Sequence, residues 1–505
     1  MQRGDIAFWG LMVVALLLFC IDSWRPLEQM DDAYISFQYA RNLVAGHGLV
    51  FNIGERVEGF TNLLWTLLIA LGMKVGFGAP EVCRVLSFVA SASLLVATGI
   101  YSALFLPHSR RWLAGFAPLL LLASNAFACW TASGLETALF GLFILLALHA
   151  LLRERIFLVV CWCVLATLTR PEGALYAAVI LGLDWLLKNY RLPNKSARAV
   201  FINTYPIFVY LAFVAGYTLW RLWYYGDPLP NTFYAKAGGI PLYRGLLYVY
   251  NFVIDGPGWL AIPALIAALK LPAYRLPFIC ILITVLYSIA VGGDAFRAGR
   301  FLLPILPIAI AGAVAGIGYM LTVKRTYGFV LALLLPLTAA WSLYGPLIGE
   351  DYRNSAKLPF PALSKRISVQ NHAGFGGTAA TKRLLRGIIA SVPQVKQVAC
   401  IGIGQFAFFS NGIYVLDLVG LVDKHIAHSR KVVDGKVFLL PGHQRTDADY
   451  VLNRRPDIIV IPRKDEVLPL NLPSVYDLWK NPRLEQLYYW DDSIPAYVSR
   501  ALQSQ

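Results

Sequence analysis

Residues 6–21, IAFWGLMVVALLLFCI, form the first of many apolar runs, and this series of runs decides the fold. The chain has 505 residues, of which 58% are hydrophobic and only 14% are charged. Its mean hydropathy is +0.59, far above that of a soluble domain. A signal-peptide core is the alternative for this run, but no small-residue cleavage site follows it and many further apolar runs do. We therefore predict a signal anchor at the start of a polytopic α-helical membrane protein.

The formal charge of +15 has two interpretations, nucleic-acid binding or membrane topology. Lys and Arg occur in short groups between apolar runs of about 20 residues, which is the pattern of cytoplasmic loops in inner-membrane proteins. Examples are Arg110 with Arg111 and Lys324 with Arg325. Nucleic acid is therefore not an expected partner, and the bacterial inner membrane is the expected location.

Six of the seven cysteines lie in or beside apolar runs, so neither a disulfide framework nor a zinc site is expected.

With the N-terminus inside, the basic groups predict about eleven transmembrane helices and an external C-terminus. The predicted spans are 6–21, 82–106, 112–128, 135–152, 156–168, 173–187, 200–223, 259–269, 276–292, 301–321 and 327–344. The apolar stretch 60–77 has no crossing to make in this topology. We expect it to lie along the outer face as a juxtamembrane helix of the first external loop, residues 23–81.

A change in composition near Leu347 predicts two domains, a transmembrane catalytic domain over 1–346 and a small periplasmic α/β domain over 347–505. The runs 395–403, 413–418 and 457–461 have the character of short buried strands. Gly402 and Gly404 follow the first of these strands, but GIGQFAF lacks the third glycine of a dinucleotide-binding loop. Tight-turn glycines are the expected interpretation.

The first external loop contains the segment 30–43, MDDAYISFQYARNL, in which two adjacent carboxylates precede an amphipathic run. Helix capping accounts well for one Asp at a helix N-terminus and less well for two. The other interpretation is catalysis by Asp31 or Asp32. Spacing alone does not distinguish the two residues, although we favour Asp31.

Other charged and polar residues at span ends also fall on the external side of this topology. Together they provide carboxylates and cations at the mouth of an apolar bundle, as an anionic lipid head group and a hydroxyl to be deprotonated require. Sugar transfer from a polyprenyl phosphate has a good leaving group, so one carboxylate base and a cationic cradle suffice, and a divalent cation is optional. The candidates for donor binding are Arg41, His47, Glu136, Arg170, Asn231, Tyr234, Lys236, Asp294 and Arg300, with Glu172, Asp227 and Arg297 beside them.

Several segments, in order from about residue 30 to 428, resemble the lipid-phosphate-dependent arabinofuranosyltransferases of the GT-C superfold, in particular the terminal β-arabinofuranosyltransferases of mycobacterial cell walls and their Gram-negative relatives. The segments are DDAYISFQYARNLVAGHGLVFN, GERVEGFTNLLWT, ASGLETALF, TRPEGAL, YYGDPLPNTFYAK, VGGD with RFLLP, and LDLVGLVDKHIAH.

The resemblance implies a GT-C bundle and an inverting single displacement from decaprenyl-phosphoryl-arabinofuranose or a similar polyprenyl donor. One Asp of the pair would then be the base. A glycan or glycoprotein would be the acceptor, and the C-terminal domain is the natural place to recognise it.

Two other classes of protein remain open from the sequence. A transporter or flippase of lipid-linked sugars also has many spans, but such proteins usually carry ionisable residues near mid-membrane and repeated halves. The predicted spans are nearly free of ionisable residues, and the main exception, Asp184, lies near the expected cytoplasmic end of its helix. The second alternative is a membrane-anchored binding protein whose C-terminal domain acts alone. In that protein the paired carboxylates of the first loop would be expendable.

Overall fold

The structure, a computed structural model, describes residues 3–23, 29–190, 196–236, 242–254, 257–294, 298–337, 377–429, 443–464 and 472–503. Twenty-two α-helices and five β-strands lie in these ranges. The helices up to residue 337 are α1 Arg3–Ser23, α2 Asp31–Val44, α3 Leu63–Lys74, α4 Ala79–Ala103, α5 Phe116–Ala123, α6 Asn125–Ala132, α7 Thr137–Leu152, α8 Ile156–Thr169, α9 Gly173–Tyr190, α10 Ala197–Tyr225, α11 Asn231–Lys236, α12 Leu242–Ile254, α13 Ala261–Lys270, α14 Arg275–Ala290, α15 Leu306–Val323 and α16 Arg325–Ala332.

The C-terminal part alternates helices and strands. Its helices are α17 Gly377–Ser391, α18 Ile403–Ser410, α19 Lys424–His428, α20 Ala448–Arg454, α21 Pro473–Lys480 and α22 Arg483–Leu487. Its strands are β1 Gln397–Cys400, β2 Tyr414–Asp417, β3 Ile458–Val460, β4 Tyr488–Asp491 and β5 Ala496–Ser499. The predicted strands at 395–403, 413–418 and 457–461 are confirmed, whereas β4 and β5 were not predicted.

Five helices within the described ranges are long and apolar enough to cross a membrane, and the number rises to seven if each of two bent helix pairs is one span. The five are Arg3–Ser23, Ala79–Ala103, Ala197–Tyr225, Pro272–Ala290 and Leu303–Val323. The predicted span 112–128 is broken into His108–Ala123 and Asn125–Ala132, which meet at 62°. A polytopic helical membrane protein is thus supported, while the count of eleven spans stays a prediction.

Several predicted spans are shorter than a bilayer requires. α7 and α8 contain 16 and 14 residues, and at about 1.5 Å per residue each is shorter than the hydrocarbon core of about 30 Å. The predicted span 327–344 extends beyond the described residues after Leu337. The stretch 60–77 contains only the 12-residue α3, about 18 Å long, which agrees with a helix that does not cross.

The chain divides into two compact units. Unit 1 comprises Met1–Leu27, Cys83–Gly216 and Pro241–Gln370, and unit 2 comprises Glu28–Val82, Tyr217–Ile240 and Asn371–Gln505. The predicted boundary between residues 346 and 347 lies outside the described residues. The unit that holds the sheet also includes residues 28–82 and 217–240, and the division into a catalytic and a periplasmic domain stays a prediction.

Unit 2 is built around a five-stranded sheet of order β2-β1-β3-β5-β4. β1 is parallel to β2 and β3, with Val398 opposite Val415 on one side and Ile458 on the other. The last two strands run antiparallel, as expected for two strands joined by a short turn. The apolar core of the sheet includes Ala399, Leu416 and Ile459, each fully buried.

Unit 1 is a helical bundle in which α15 packs closely against α13. Gly312 and Gly316 lie four residues apart and so share one face of α15. A Cβ at 316 would overlap the backbone oxygen of Pro263, and one at 312 would overlap the Tyr274 hydroxyl group. Tyr274 also donates a hydrogen bond of 2.8 Å to the Ile308 carbonyl oxygen. Small residues therefore let α15 approach its neighbours.

We predict that Gly316→Val destabilises the protein by about 1–3 kcal/mol or more, because the added side chain meets backbone atoms that cannot move away. Gly182→Val on α9 is the matched control, since a Cβ at 182 has no neighbour within 4 Å. Thermal unfolding and the monodisperse fraction in detergent measure the effect. Equal losses in both variants would contradict close packing at Gly316.

Candidate functional site

The acidic motif lies at the start of α2. The residue that precedes the helix is Met30, and no side chain caps its first turn. Asp31 and Asp32 occupy that turn and both are half-buried. Neither residue therefore caps its own helix through the N-cap position, although carboxylates in a first turn still favour the helix dipole.

Asp31 instead binds the N-terminus of α18. The backbone N–H of Gly404 donates to Oδ2 over 3.1 Å, and that of Gln405 donates to Oδ1 over 2.8 Å. Burial raises the pKa of Asp31 to about 6, and the charge of Asp32 adds to the rise, whereas the two N–H donors favour the ionised form. Asp31 therefore holds the N-terminus of α18 and not that of its own helix, and its part in catalysis stays a prediction.

Arg41, near the end of α2, binds the other end of the same helix. Its Nη1 donates to the Phe408 carbonyl oxygen over 2.7 Å, and its Nη2 lies 3.5 Å from the Ala407 carbonyl oxygen. The guanidinium also lies 5.4 Å from the centre of the Phe408 ring. Arg41 thus neutralises the carbonyl end of α18, and its part in donor binding stays a prediction. We call Asp31 and Arg41 the end-cap pair.

Asp32 differs from Asp31 in its contacts. Within the described ranges, no hydrogen bond or ion pair involves its carboxylate. His47, in the loop after α2, has an exposed side chain. Asp32 is therefore the carboxylate of the motif that is available to a substrate.

The predicted donor-binding residues of α11 have different roles. The Asn231 Nδ2 donates to the carbonyl oxygens of Gly420 and Leu421 over 2.8 and 3.0 Å, and its backbone N–H donates to the Glu58 carbonyl oxygen over 2.9 Å. Asn231 therefore joins two loops of unit 2, and backbone carbonyl groups occupy its side-chain amide.

The other residues in and beside α11 have separate contacts. The Tyr234 ring packs against the His428 ring, with 4.4 Å between their centres, and Lys236 ends the helix with an exposed side chain. Beside α11, Asp227 forms an ion pair with Lys424.

Two buried carboxylates of unit 2 were not singled out from the sequence. Glu58 forms an ion pair of 3.0 Å with Arg221, and burial raises the pKa of Glu58 to about 7 although Arg221 opposes the shift. Asp417 is fully buried at the end of β2 and accepts the N–H groups of Val419 and Val422 over 2.8 and 2.9 Å. Both lie inside quoted segments, GERVEGFTN and LDLVGLVD, where an acidic residue among apolar ones was the available signal.

The remaining candidates form a buried cluster in unit 1. Arg170 contacts Glu136 at 2.7 Å and Glu172 at 2.9 Å, and Arg300 contacts Asp294 at 2.6 Å. Arg170, Glu172 and Arg300 line a small cavity together with aromatic residues that include Phe140 and Phe301. Arg297 lies outside the described residues.

The cations of this cluster are paired with carboxylates, and their part in donor binding stays a prediction. Three carboxylates surround two guanidiniums, and both guanidiniums have carboxylate partners. A buried charge is stabilised only when it is paired, so these ion pairs explain why the residues are charged. In the described part of the chain, no three His, Cys, Asp or Glu side chains are grouped to hold a metal ion, and the divalent cation stays a prediction.

We predict that Arg170→Met destabilises the protein by about 3–5 kcal/mol, because it leaves Glu136 and Glu172 buried without their cation. Lys188→Met is the matched control: it breaks the more exposed ion pair with Asp184 and should cost about 0.5 kcal/mol or less. Thermal unfolding in detergent compares the two. Unchanged stability in Arg170→Met would instead favour the predicted phosphate cradle.

The burial of Asp417 predicts a pH dependence of stability. Burial raises its pKa to about 6 in the folded protein, so the folded state binds this proton more tightly than the unfolded state. The contribution is therefore present near pH 4 and is lost as pH rises to about 6, by at most about 3 kcal/mol. Thermal unfolding of the wild type and Asp417→Asn from pH 4 to pH 8 measures this difference. A difference that grows as pH rises from 4 to 6 in favour of the wild type would contradict it.

Two curated relatives are similar to this chain, and both are named terminal β-(1→2)-arabinofuranosyltransferase. The protein of Mycobacterium tuberculosis is 29% identical over 266 residues, which are 49% of this chain and 41% of the relative. The protein of Corynebacterium glutamicum is 27% identical over 413 residues, which are 71% of this chain and 56% of the relative. The chain therefore spans about half the length of the curated relatives it matches.

Two further comparisons concern the C-terminal part and the fold. A family described as a domain of unknown function, DUF8728, matches residues 369–497. The crystal structure of ArnT from Cupriavidus metallidurans in the apo state matches with a TM-score of 0.51 and 13% identity, covering 83% of this chain and 86% of that chain. At this identity the likeness shows the fold alone. The protein is therefore a polytopic helical membrane protein with a GT-C fold, and its sequence relatives are terminal β-(1→2)-arabinofuranosyltransferases.

Proposed function

We propose that the protein is a membrane glycosyltransferase that transfers arabinofuranose, or a related sugar, from a polyprenyl-phosphate donor to a glycan or glycoprotein acceptor. The names of the two relatives support the sugar, and the GT-C fold supports a lipid-linked donor. The observation that carries the proposal is the half-buried Asp32, a carboxylate that has no partner among the described residues, beside an Asp31 that is held by two N–H groups. The site and the C-terminal domain are proposed to be periplasmic.

The reaction is an inverting single displacement. Asp32 takes the proton of the acceptor hydroxyl group while that oxygen attacks the anomeric carbon of the sugar. The bond between the anomeric carbon and the phosphate oxygen breaks, and its electron pair leaves with the polyprenyl phosphate. Because phosphate is a good leaving group, no general acid is needed, in contrast to glycoside hydrolysis. The proton on Asp32 then passes to solvent or to the released phosphate.

Asp32, and not the initially favoured Asp31, is the proposed base. A base must reach the proton that it takes, and geometry is considered before pKa. Both oxygens of Asp31 already accept N–H groups of α18, and a proton transfer there would weaken these bonds. Within unit 2, we propose that the exposed Lys236 and His47 contact the donor phosphate, because their side chains face solvent.

We predict that Asp32→Asn lowers sugar transfer by about three orders of magnitude or more with little change in stability. Asp31→Asn should lower transfer less, by about 10- to 100-fold, and should cost about 1 kcal/mol of stability because α18 loses part of its cap. The measurement is transfer of radiolabelled sugar from synthetic polyprenyl-phosphoryl-arabinofuranose to a simple arabinoside, using protein purified in detergent.

The relative size of the two losses decides the assignment. A larger loss in Asp31→Asn than in Asp32→Asn would return the role of base to Asp31. Transfer that survives both substitutions would mean that the motif is structural. A wild-type protein that transfers no sugar from this donor or from other polyprenyl-phosphate sugars would contradict the proposed enzyme class.

A further inference from the structure

The segment GIGQF was interpreted from the sequence as a pair of turn glycines, and the proposed reaction assigns it no role. In the structure Gly402 is the N-cap residue of α18, and the residues from Ile403 onward belong to the helix. Gly404 lies in the first turn, where a Cβ would overlap the backbone oxygen of Asp31 and would lie 3.2 Å from its Cγ. The segment therefore approaches the acidic motif more closely than any other residue type would allow.

The contacts show how α2 and α18 are aligned. Asp31, at the start of α2, binds the start of α18, and Arg41, near the end of α2, binds the end of α18. The two helices therefore run side by side in the same direction. A carboxylate meets the positive end of the α18 dipole and a guanidinium meets its negative end, and both contacts are favourable. Tyr34 and Phe37 of α2 pack on the Phe408 ring between these ends.

This alignment also sets the direction of Asp32. Successive residues of an α-helix are separated by about 100° around its axis. Since Asp31 faces α18, Asp32 points about 100° away from that contact. Met30 provides no side-chain cap for the first turn of α2. The hydrogen bonds from the α18 N–H groups to the Asp31 carboxylate hold this turn instead.

We infer that Gly404 and the N-terminus of α18 are positioning elements that act through Asp31 to hold Asp32 in place for proton transfer. This inference rests on the proposed function. It assigns the C-terminal domain a part in the reaction besides recognition of the acceptor. Gly404 does not touch the substrate. It permits a contact that fixes the turn on which the base lies.

The test is Gly404→Ala in the full chain, purified in detergent. The added methyl group pushes Asp31 and its turn away from α18, and a displacement of about 1 Å at a reacting group costs about 100-fold in rate. We expect kcat per folded protein to fall by about 100-fold, while KM for polyprenyl-phosphoryl-arabinofuranose changes by less than about twofold. Asp31→Asn is the second variant, and it should show the same split between kcat and KM if Gly404→Ala fails to fold.

The matched control is Gly387→Ala on α17 of the same unit, where the nearest atom to a Cβ is Cγ2 of Ile494 at 3.3 Å. This variant should leave kcat and KM unchanged. If Gly404→Ala lowers thermal stability but keeps the wild-type kcat, or if it raises KM alone, the contact is structural and the inference is overturned. A wild-type protein that transfers no sugar overturns the proposed function and the inference together, which distinguishes that outcome from failure of the inference alone.

Discussion

The opposite charges at the two ends of α18 are the constraint on which the arrangement of unit 2 depends. An eight-residue helix leaves four N–H groups and four carbonyl groups without partners inside the helix. α2 supplies the Asp31 carboxylate to one end of α18 and the Arg41 guanidinium to the other. Because these two residues are ten positions apart, the two helices can pack in one direction and one register. The rest of α2 is buried because the end-cap pair holds it against the sheet-containing part of the chain.

The sequence predicts most of the apolar helices and three of the strands, but it does not predict where a helix bends. These elements are predictable because a run of apolar residues indicates a buried or membrane-embedded segment wherever it occurs in the chain. The sequence does not predict the bend at Ser124, because a window average of hydropathy stays high across Ser124 and Asn125 and does not show where the helix axis turns. The sequence does not predict β4 and β5, because each strand has only four residues and neither shows an alternation of buried and exposed residues.

The sequence identifies the charged and polar residues of the candidate site, but it does not determine what each of them contacts. Glu136, Arg170, Asp294 and Arg300 are buried ion pairs, and Asn231 and Arg41 bind backbone carbonyl groups. A sequence shows that such residues lie at helix ends, but it does not show whether the partner is a ligand or another part of the chain. Buried polar groups need partners in either case, so both roles favour the same residue types. Asp31 and Asp32 illustrate the limit, since two identical neighbours have different surroundings.

The segments that carry the resemblance therefore include residues that hold the fold together as well as residues of the candidate site. Glu58, Asn231 and the loop at Gly420 come from three of these segments. The Asn231 backbone N–H donates to Glu58 and its side-chain amide donates to Gly420, so Asn231 joins the three within unit 2. Residues that hold loops to one another are constrained by geometry whatever the acceptor is, so these segments carry little information about the acceptor. Specificity of the proposed enzyme for its sugar and its acceptor must then depend on side chains that these scaffold hydrogen bonds do not occupy, because one fold can be kept while its binding surfaces change.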